Sequence, residues 1–438
     1  MRQLLAILLC AAFALPASAQ KNDPFSFKEY KRLPATAVKS QDKTGTCWAF
    51  STASFLESEA LRLGKGETDL SEMFTVRQVY RLKCENYVRR QGGARFSEGG
   101  LAHDKLNAVK KYGLVPESAY PGRKDPSKPY DHSALEKSLK ALCDDLVKQA
   151  LEGKLPANWL RQIDDALDAE FGKVPLTFVV GPTQFSPLSY RDYLGINPDD
   201  YVTITSFTHH PFYQPFVLEI PDNFAYGTFY NLPLHEMMRC LNYSIDKGYT
   251  VEWDADVSNA GFSAKNGIAI VPDKEWAAKT AEQQANTFKF WEPEKNISPD
   301  MRQQLFDQQV TQDDHLMHIV GILDEAHTGL YYVVKNSWGE ISDYKGYVYV
   351  SDAYMRLNTI SFTVHKQALP LEIRKLLGFE PGEVVIPAPP SSTGGMKPAA
   401  PANTVKPGNL QTNPRFNPKM MKKERPAPAP ASGGGSDN

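Results

Sequence analysis

Apolar side chains recur at intervals of three or four residues in the first part of the chain, a spacing typical of amphipathic helices. Between residues 48 and 63, the apolar residues with this spacing are Ala49, Ala53, Leu56, Ala60 and Leu63. Gly64 follows them as a stop signal. Similar patterns predict a helix that begins after Ser71 and further helices at 100–112, 133–169 and 233–247.

From about residue 175 the pattern changes to short runs that are rich in β-branched and aromatic side chains, as strands are. The predicted strands cover residues 175–180, 201–207, 216–220, 249–253, 315–323, 330–335, 346–351 and 359–364. Turn residues at 325–329 and 343–346 separate the last of them. Helices followed by antiparallel strands predict an α+β fold with two lobes, the first helical and the second rich in β-structure.

The beginning of the chain has the pattern of a targeting segment. After Arg2, residues 4–15 are apolar, and Ala17-Ser18-Ala19 has the small residues of a cleavage site. This pattern predicts a signal peptide at 1–19 and export, to the bacterial periplasm or the extracellular space, although a buried N-terminal helix would have a similar composition. Export implies an oxidising compartment, in which the four remaining cysteines could form at most two disulfides.

The other end of the chain, residues 379–438, is rich in Pro, Ala and Gly. Twelve of the 32 prolines lie between 381 and 438, and this stretch has no apolar periodicity. Such a segment cannot bury enough apolar surface to offset the entropy of ordering, so we predict a disordered tail. A stalk that binds a partner is the alternative. Residues 20–378 then form the folded domain.

Composition and charge narrow the functions open to the chain. Lys and Arg number 49 and Asp and Glu number 51, so the formal charge of -2 argues against a nucleic-acid-binding protein with a basic surface. No apolar run reaches the roughly 18–20 residues that cross a membrane. Neither a phosphate loop nor a dinucleotide-binding string occurs, so no cofactor is predicted. His209 and His210 have no Cys or Asp partner at ligand spacing, so no metal site is predicted.

One cysteine has surroundings that suit a nucleophile. Cys47 lies at the start of the first predicted helix, where backbone N–H groups and the helix dipole lower a thiol pKa. Gly45 allows a tight turn that presents the sulfur at a surface. Gln41 precedes the cysteine by six residues, so its amide and the Cys47 N–H can form a pair of oxyanion donors. Taken alone, a cysteine beside Trp48 is more often an inert core residue.

Two strings resemble those of a known enzyme family. Residues 41–51, QDKTGTCWAFS, resemble the papain-like cysteine peptidases, in which the Gln serves the oxyanion hole and the Cys is the nucleophile. Residues 334–340, VKNSWGE, resemble the family's Asn-Ser-Trp-Gly string. By this resemblance Asn336 orients the catalytic histidine, and Trp338 shields their hydrogen bond from water.

Two histidines compete for the role of base. In the family a Gly usually lies six residues after the His, and Gly321 lies six residues after His315 but three after His318. His315-Leu316-Met317 also resembles the His-Ala-Met string of one branch. Because the two histidines are an odd number of residues apart, they face opposite sides of a strand. We predict that His315 is the base and that His318 is a packed or hydrogen-bonded strand residue.

Chain length and further strings indicate one branch of the family. Cys47 and His315 are 268 positions apart, whereas the shorter papain-like enzymes need no long insert there. Strings that resemble the bleomycin hydrolase and aminopeptidase C branch lie at 111–116, 190–195, 199–202, 231–234 and 344–347. Gly99 and Gly100 resemble the Gly-Gly segment along which the substrate backbone lies, although an ordinary loop has the same residues. The resemblance implies a papain-like two-lobed fold with the active-site cleft between the lobes, and a homo-hexamer.

The resemblance also implies an activity: hydrolysis of peptide substrates through a Cys47–His315 thiolate–imidazolium pair and a thioester intermediate. In the branch, the chain's own C-terminus blocks the cleft beyond the substrate's N-terminus and so imposes aminopeptidase action. Because residues 379–438 follow the domain here, an endopeptidase with an open cleft is the alternative. A catalytically silent binding protein on the same fold and a cysteine acyltransferase are further alternatives.

Overall fold

The structure is a computed structural model that describes residues 23–125 and 127–380. The predicted signal peptide at 1–19 lies outside the described residues, as does the predicted tail except for its first two residues. Within the described part, no helix is both long enough and apolar enough to cross a membrane.

The helices lie mostly in the first half of the described chain. They are α1 Cys47–Arg62, α2 Glu72–Arg89, α3 Ala102–Tyr112, α4 Ser133–Leu151, α5 Leu160–Phe171, α6 Pro187–Leu194, α7 Leu234–Asp246, α8 Ala281–Asn286, α9 Pro299–Asp307, α10 Asp352–Asn358 and α11 Leu371–Leu376. The predictions for α1, α2, α3 and α7 are confirmed. The predicted helical stretch 133–169 is interrupted between α4 and α5, and the short helices α6 and α8 to α11 were not predicted.

Local signals explain where the second and third helices begin and end. The Ser71 hydroxyl accepts a hydrogen bond from the Phe74 N–H and caps α2. Gly113 ends α3 with a φ of 85°, and a Cβ at this position would collide with the backbone of Pro187. Glycine is therefore required at this turn both for its conformation and for its size.

The strands form one large sheet and a small hairpin. They are β1 Phe27–Arg32, β2 Phe178–Val180, β3 Thr183–Phe185, β4 Tyr201–Thr205, β5 Pro215–Val217, β6 Thr228–Asn231, β7 Val251–Ala255, β8 Phe262–Ser263, β9 Ile268–Ala269, β10 His315–Glu325, β11 Gly329–Lys335, β12 Tyr347–Ser351 and β13 Thr359–His365. In the described residues the large sheet has the order β5-β6-β4-β13-β7-β10-β11-β12-β9-β8, and β1 pairs with the far half of β10. The small hairpin is β2-β3.

The predicted antiparallel arrangement holds for most of the large sheet. The exceptions are β4 beside β6 and β9 beside β12, which are parallel pairs. The predicted strand at 216–220 is also shorter than expected, since β5 ends at Val217. Strand β10 lies near the centre and pairs with β7, β11 and β1, so its first residue has a fixed position.

The two larger apolar cores of the described residues give the α+β architecture its two lobes, and a third, small cluster includes Val320 and Tyr331. Trp48, Phe55 and Phe74 are among the large side chains of the helical core. Trp253 and Phe362 belong to the core of the sheet, which α7 and α10 cover. Helix α1 packs against β10 and β7, so it connects the two cores.

Polar side chains join α1 to the sheet. Ser54 lies 2.8 Å from His318 Nδ1 and also accepts from Lys335 Nζ at 2.8 Å. One turn earlier, the Ser51 hydroxyl donates to Glu252 of β7 at 3.3 Å. These buried bonds fix the rotation of α1 relative to β10, and therefore fix where the first residue of each element lies.

Replacing Ser71 by Ala removes the acceptor that caps α2. We expect the free energy of unfolding to fall by about 1–2 kcal/mol, because the Phe74 N–H loses its partner. Urea denaturation followed by circular dichroism measures this difference. Ser71→Thr keeps a hydroxyl and should lose less, and equal midpoints for the Ala variant and the native chain would contradict the role of the cap.

Candidate active site

Cys47 is the first residue of α1, and its side chain is almost completely buried. The backbone N–H of Leu316 lies close enough to the sulfur to lower the pKa of the thiol. Leu316 directly follows His315, the first residue of β10. The start of α1 and the start of β10 therefore meet at the sulfur atom.

His315 is held by a short hydrogen bond. Its Nε2 lies 2.7 Å from Asn336 Oδ1, and His315 is 3% exposed. Since an amide oxygen only accepts, Nε2 carries the proton, and Nδ1 is the nitrogen left for the sulfur of Cys47. The Trp338 ring lies over the imidazole, with ring centres 4.6 Å apart, and covers this hydrogen bond.

The segment that carries Asn336 is bonded to the segment that leads to Cys47. The Gln41 N–H donates to the Ser337 carbonyl at 2.8 Å, and the Gly339 N–H donates to the Lys39 carbonyl at 3.1 Å. These backbone bonds join two parts of the chain that are far apart in sequence. They position the histidine's partner relative to the cysteine.

The Gln41 side chain is fixed at both ends of its amide. Oε1 accepts from the Ser337 hydroxyl at 2.7 Å, and Nε2 donates to the Thr44 carbonyl at 2.7 Å. An amide nitrogen has two hydrogens, so one N–H remains for a ligand in the cavity that Gln41 and Cys47 both line. This arrangement provides an oxyanion donor.

A cavity of about 330 Å³ lies beside these groups. The predicted site residues that line it are Gln41, Cys47, Gly99, Gly100, His315 and Trp338. Asn336 lies behind His315 and does not line the cavity. The structure therefore brings together every residue that the sequence analysis assigned to catalysis or substrate binding.

The Gly99–Gly100 segment forms one wall of the site and is tied to the cysteine loop. The Glu98 carboxylate accepts from the Gly45 N–H at 2.6 Å, and the Glu98 carbonyl accepts from Trp48 Nε1 at 3.0 Å. Gly100 lies against the Trp48 ring, where a Cβ would be 3.2 Å from Cε2. Glycine is needed here for close packing.

His318 has no place in this cavity. It is fully buried, bonds to Ser54 through Nδ1, and packs edge-on against Phe55. Burial lowers the pKa of His318 well below its usual value, and the charge of Lys335 has the same effect. The prediction of a hydrogen-bonded strand histidine is confirmed.

The surroundings of the thiol disfavour its ionised form. Burial raises the pKa of Cys47, the hydrogen bond from the Leu316 N–H lowers it, and the carboxylates of Asp313, Asp254 and Asp222 raise it further. The net direction is the opposite of the lowered pKa that the sequence analysis expected from the position at a helix start.

The surroundings of the imidazole also favour its neutral form. Burial lowers the pKa of His315 to about 4, and the hydrogen bond to Asn336 opposes this change only in part. An ion pair with Cys47 therefore depends on the attraction between the two charges, because each environment alone favours the uncharged group.

Four charged residues that the sequence analysis did not single out also line the cavity: Arg95, Asp222, Asp313 and Asp314. The two aspartates before His315 could have been noticed from their position in the sequence. Asp222 could not, because it lies between β5 and β6, far from the motifs.

Outside the cavity, Glu219 lies 3.2 Å from His209 Nε2 and 3.0 Å from His210 Nε2. The sequence analysis missed this carboxylate partner of the two histidines.

Comparison with known proteins agrees with this geometry. The family described as "Papain family cysteine protease" matches residues 23–185, and the "Peptidase C1-like family" matches residues 173–388. The chain belongs to the papain-like cysteine peptidases. Among curated relatives of this peptidase, aminopeptidase G of Lactobacillus delbrueckii subsp. lactis is 24% identical over 80% of this chain and 86% of its own. Aminopeptidase W of the same organism is 25% identical over 86% of this chain and 91% of its own length.

Solved structures show the same fold. The crystal structure of PepW from Lactobacillus rhamnosis matches this peptidase with a TM-score of 0.64 and 19% identity, over 80% of this chain and 85% of that one. The predicted papain-like α+β architecture is confirmed, and so is the prediction of a cysteine peptidase of the bleomycin hydrolase and aminopeptidase C branch.

Replacing Asn336 by Ala removes the acceptor that fixes the His315 ring. We expect kcat/KM for a fluorogenic peptide amide to fall about 10²-fold, because a misplaced catalytic group costs about this much. Circular dichroism checks that the variant is folded. Asn266→Ala, at an exposed turn, is the matched control and should keep its activity; full activity in Asn336→Ala would contradict the orienting role.

Proposed function

We propose that this peptidase is an exported aminopeptidase in which Cys47 is the nucleophile and His315 is the general base and acid. Gln41 and the Cys47 N–H stabilise the oxyanion, and Asn336 orients the imidazole. The observation that carries the proposal is one cavity that Cys47, His315 and Gln41 line together, with His315 held 2.7 Å from Asn336.

The first half of the reaction acylates the enzyme. His315 Nδ1 takes the thiol proton, and the sulfur forms a bond to the carbonyl carbon of the scissile peptide. The carbonyl oxygen becomes an oxyanion and accepts hydrogen bonds from Gln41 Nε2 and the Cys47 N–H. When this intermediate collapses, the C–N bond breaks and His315 gives its proton to the leaving amine.

The second half of the reaction releases the acyl group. Neutral His315 takes a proton from water, and the hydroxide oxygen forms a bond to the thioester carbon. The C–S bond breaks, the product acid leaves, and the thiolate–imidazolium pair is restored. Trp338 keeps water away from the His315–Asn336 bond during both halves, because its ring covers the imidazole.

Two observations support aminopeptidase action: the names of the similar proteins, and the burial of Cys47, which is only 7% exposed. The similar proteins carry the names aminopeptidase G, aminopeptidase W and aminopeptidase C. Export rests on the sequence pattern of residues 1–19 alone. Expression of the full chain with fractionation of cells and medium tests export, and light scattering of the purified protein tests the hexamer that the resemblance implies.

Replacing Cys47 by Ala should abolish hydrolysis of a peptide library while the fold is retained. The library carries free N-termini in one half and acetylated N-termini in the other, and mass spectrometry follows the products. The native chain should remove single residues from free N-termini only. Cys240→Ala, in α7 away from the cavity, is the control that should stay active.

Each other outcome of this experiment has a definite meaning. Internal cleavage of acetylated peptides would show that the enzyme is an endopeptidase and not an aminopeptidase. Absence of hydrolysis in the native chain, with no labelling of Cys47 by iodoacetamide, would favour a silent binding protein. Transfer of the acyl group to an added amine in preference to water would indicate an acyltransferase.

Replacing Gln41 by Ala separates oxyanion stabilisation from thiol reactivity. We expect kcat/KM for peptide hydrolysis to fall about 10²–10³-fold, because a donor to the developing oxyanion is lost. Alkylation of Cys47 by iodoacetamide forms no oxyanion and should keep its rate within about twofold. Equal losses in both assays would show that Gln41 acts only by holding the cysteine loop, and exposed Gln184→Ala serves as control.

A further inference from the structure

Three carboxyl groups surround the nucleophile on one side. Asp222 lies in the loop between β5 and β6, and Asp313 lies two residues before His315; both line the cavity beside the sulfur. Asp254 of β7 pairs in register with Leu316 of β10, so the two side chains lie on the same face of the sheet. Leu316 also lines the cavity.

Asp222 lies on the wall of the cavity that Gly99 and Gly100 form, along which a longer substrate would lie. The Asp222 carboxylate lies against Gly99, so closely that a Cβ on this glycine would collide with it. Ser97 donates to Asp222 at 3.3 Å, and Arg95 Nε lies 3.5 Å from the same oxygen. Asp222, Asp313 and Asp314 therefore form an acidic wall of the cavity that Cys47 lines, with Arg95 as the one Arg or Lys among the lining residues.

Two carboxyl oxygens in this wall have no donor among the residues that the structure describes. They are Oδ1 of Asp254, a residue only 1% exposed, and Oδ2 of Asp313. Buried carboxylates without donors are costly, so this wall is suited to a cationic ligand that brings its own N–H groups.

We propose that Asp222 and Asp313, supported by Asp254, form an anionic subsite that binds the α-ammonium group of the substrate's first residue. This inference rests on the proposed aminopeptidase function and explains how the chain would select free N-termini with its own internal residues. The ammonium has three donors, and the two aspartates that line the cavity offer acceptors next to the reacting carbonyl.

The same geometry explains why a blocked N-terminus would be excluded. Acetylation removes the positive charge and adds a group where the Asp222 loop already covers Gly99. The charges of the three aspartates also raise the pKa of Cys47. A bound ammonium neutralises this charge, so substrate binding itself favours the thiolate.

Steady-state kinetics of Asp222→Asn and Asp313→Asn test the subsite. The substrates are an amino-acid coumarin amide with a free N-terminus and its analogue without the amino group. In both variants KM for the free amine should rise about ten- to hundredfold, the loss expected for a hydrogen bond to a charged group. Hydrolysis of the analogue and alkylation of Cys47 by iodoacetamide should be no slower than in the native chain, because removing a carboxylate charge favours the thiolate.

The control is Asp324→Asn, an exposed change on the same strand as His315, which should alter neither substrate. If Asp313→Asn does not fold, the kinetics of Asp222→Asn alone test the subsite. This variant should fold, because the Asp222 carboxylate is on a loop and 20% exposed. An unchanged preference for the free amine in the variants would overturn the subsite and leave the aminopeptidase intact.

Two other outcomes would also overturn it. If the variants instead lose cleavage of acetylated peptides that have Lys or Arg before the cleaved residue, the wall binds a side-chain cation and the α-ammonium assignment is wrong. If the native chain hydrolyses neither substrate while its thiol is alkylated normally, the proposed function fails, and the subsite fails with it.

Discussion

The chemistry of this peptidase depends on how the start of β10 meets the first turn of α1. The Leu316 N–H lies near enough to the Cys47 sulfur to lower its pKa, and the neighbouring residue His315 bonds to Asn336. This contact is held from behind by the bonds of Ser54 to β10 and β11. Because both elements are packed into the cores, Cys47 and His315 keep their relative position without help from a loop.

The electrostatics of the site combine opposing effects. Burial disfavours the charge on the thiol and on the imidazole alike, and the three aspartates act against the thiolate. Each group alone is therefore favoured in its uncharged form, so a charged pair of Cys47 and His315 would depend on the attraction between the two charges.

The sequence predicted those parts of the molecule that have local signals. Helix α2 carries its cap at Ser71 and α3 its stop at Gly113, and the motif strings identified Cys47, His315 and Asn336 with their neighbours. The parallel pairs β4–β6 and β9–β12 were missed, because strands of two to five residues are defined by their partners and not by their own pattern. Asp222 was missed because no local pattern in the sequence marks it, and only the fold brings it next to Gly99.

The cysteines of the described residues are all unpaired, and this has a consequence for oxidative damage. Cys84, Cys143 and Cys240 are fully enclosed in the two cores, whereas Cys47 borders a cavity. Among the described residues, a sulfenic acid formed on Cys47 would have no exposed thiol with which to close a protective disulfide. Its repair would then need a reductant other than these residues, so we expect activity to depend on the redox chemistry of the surroundings.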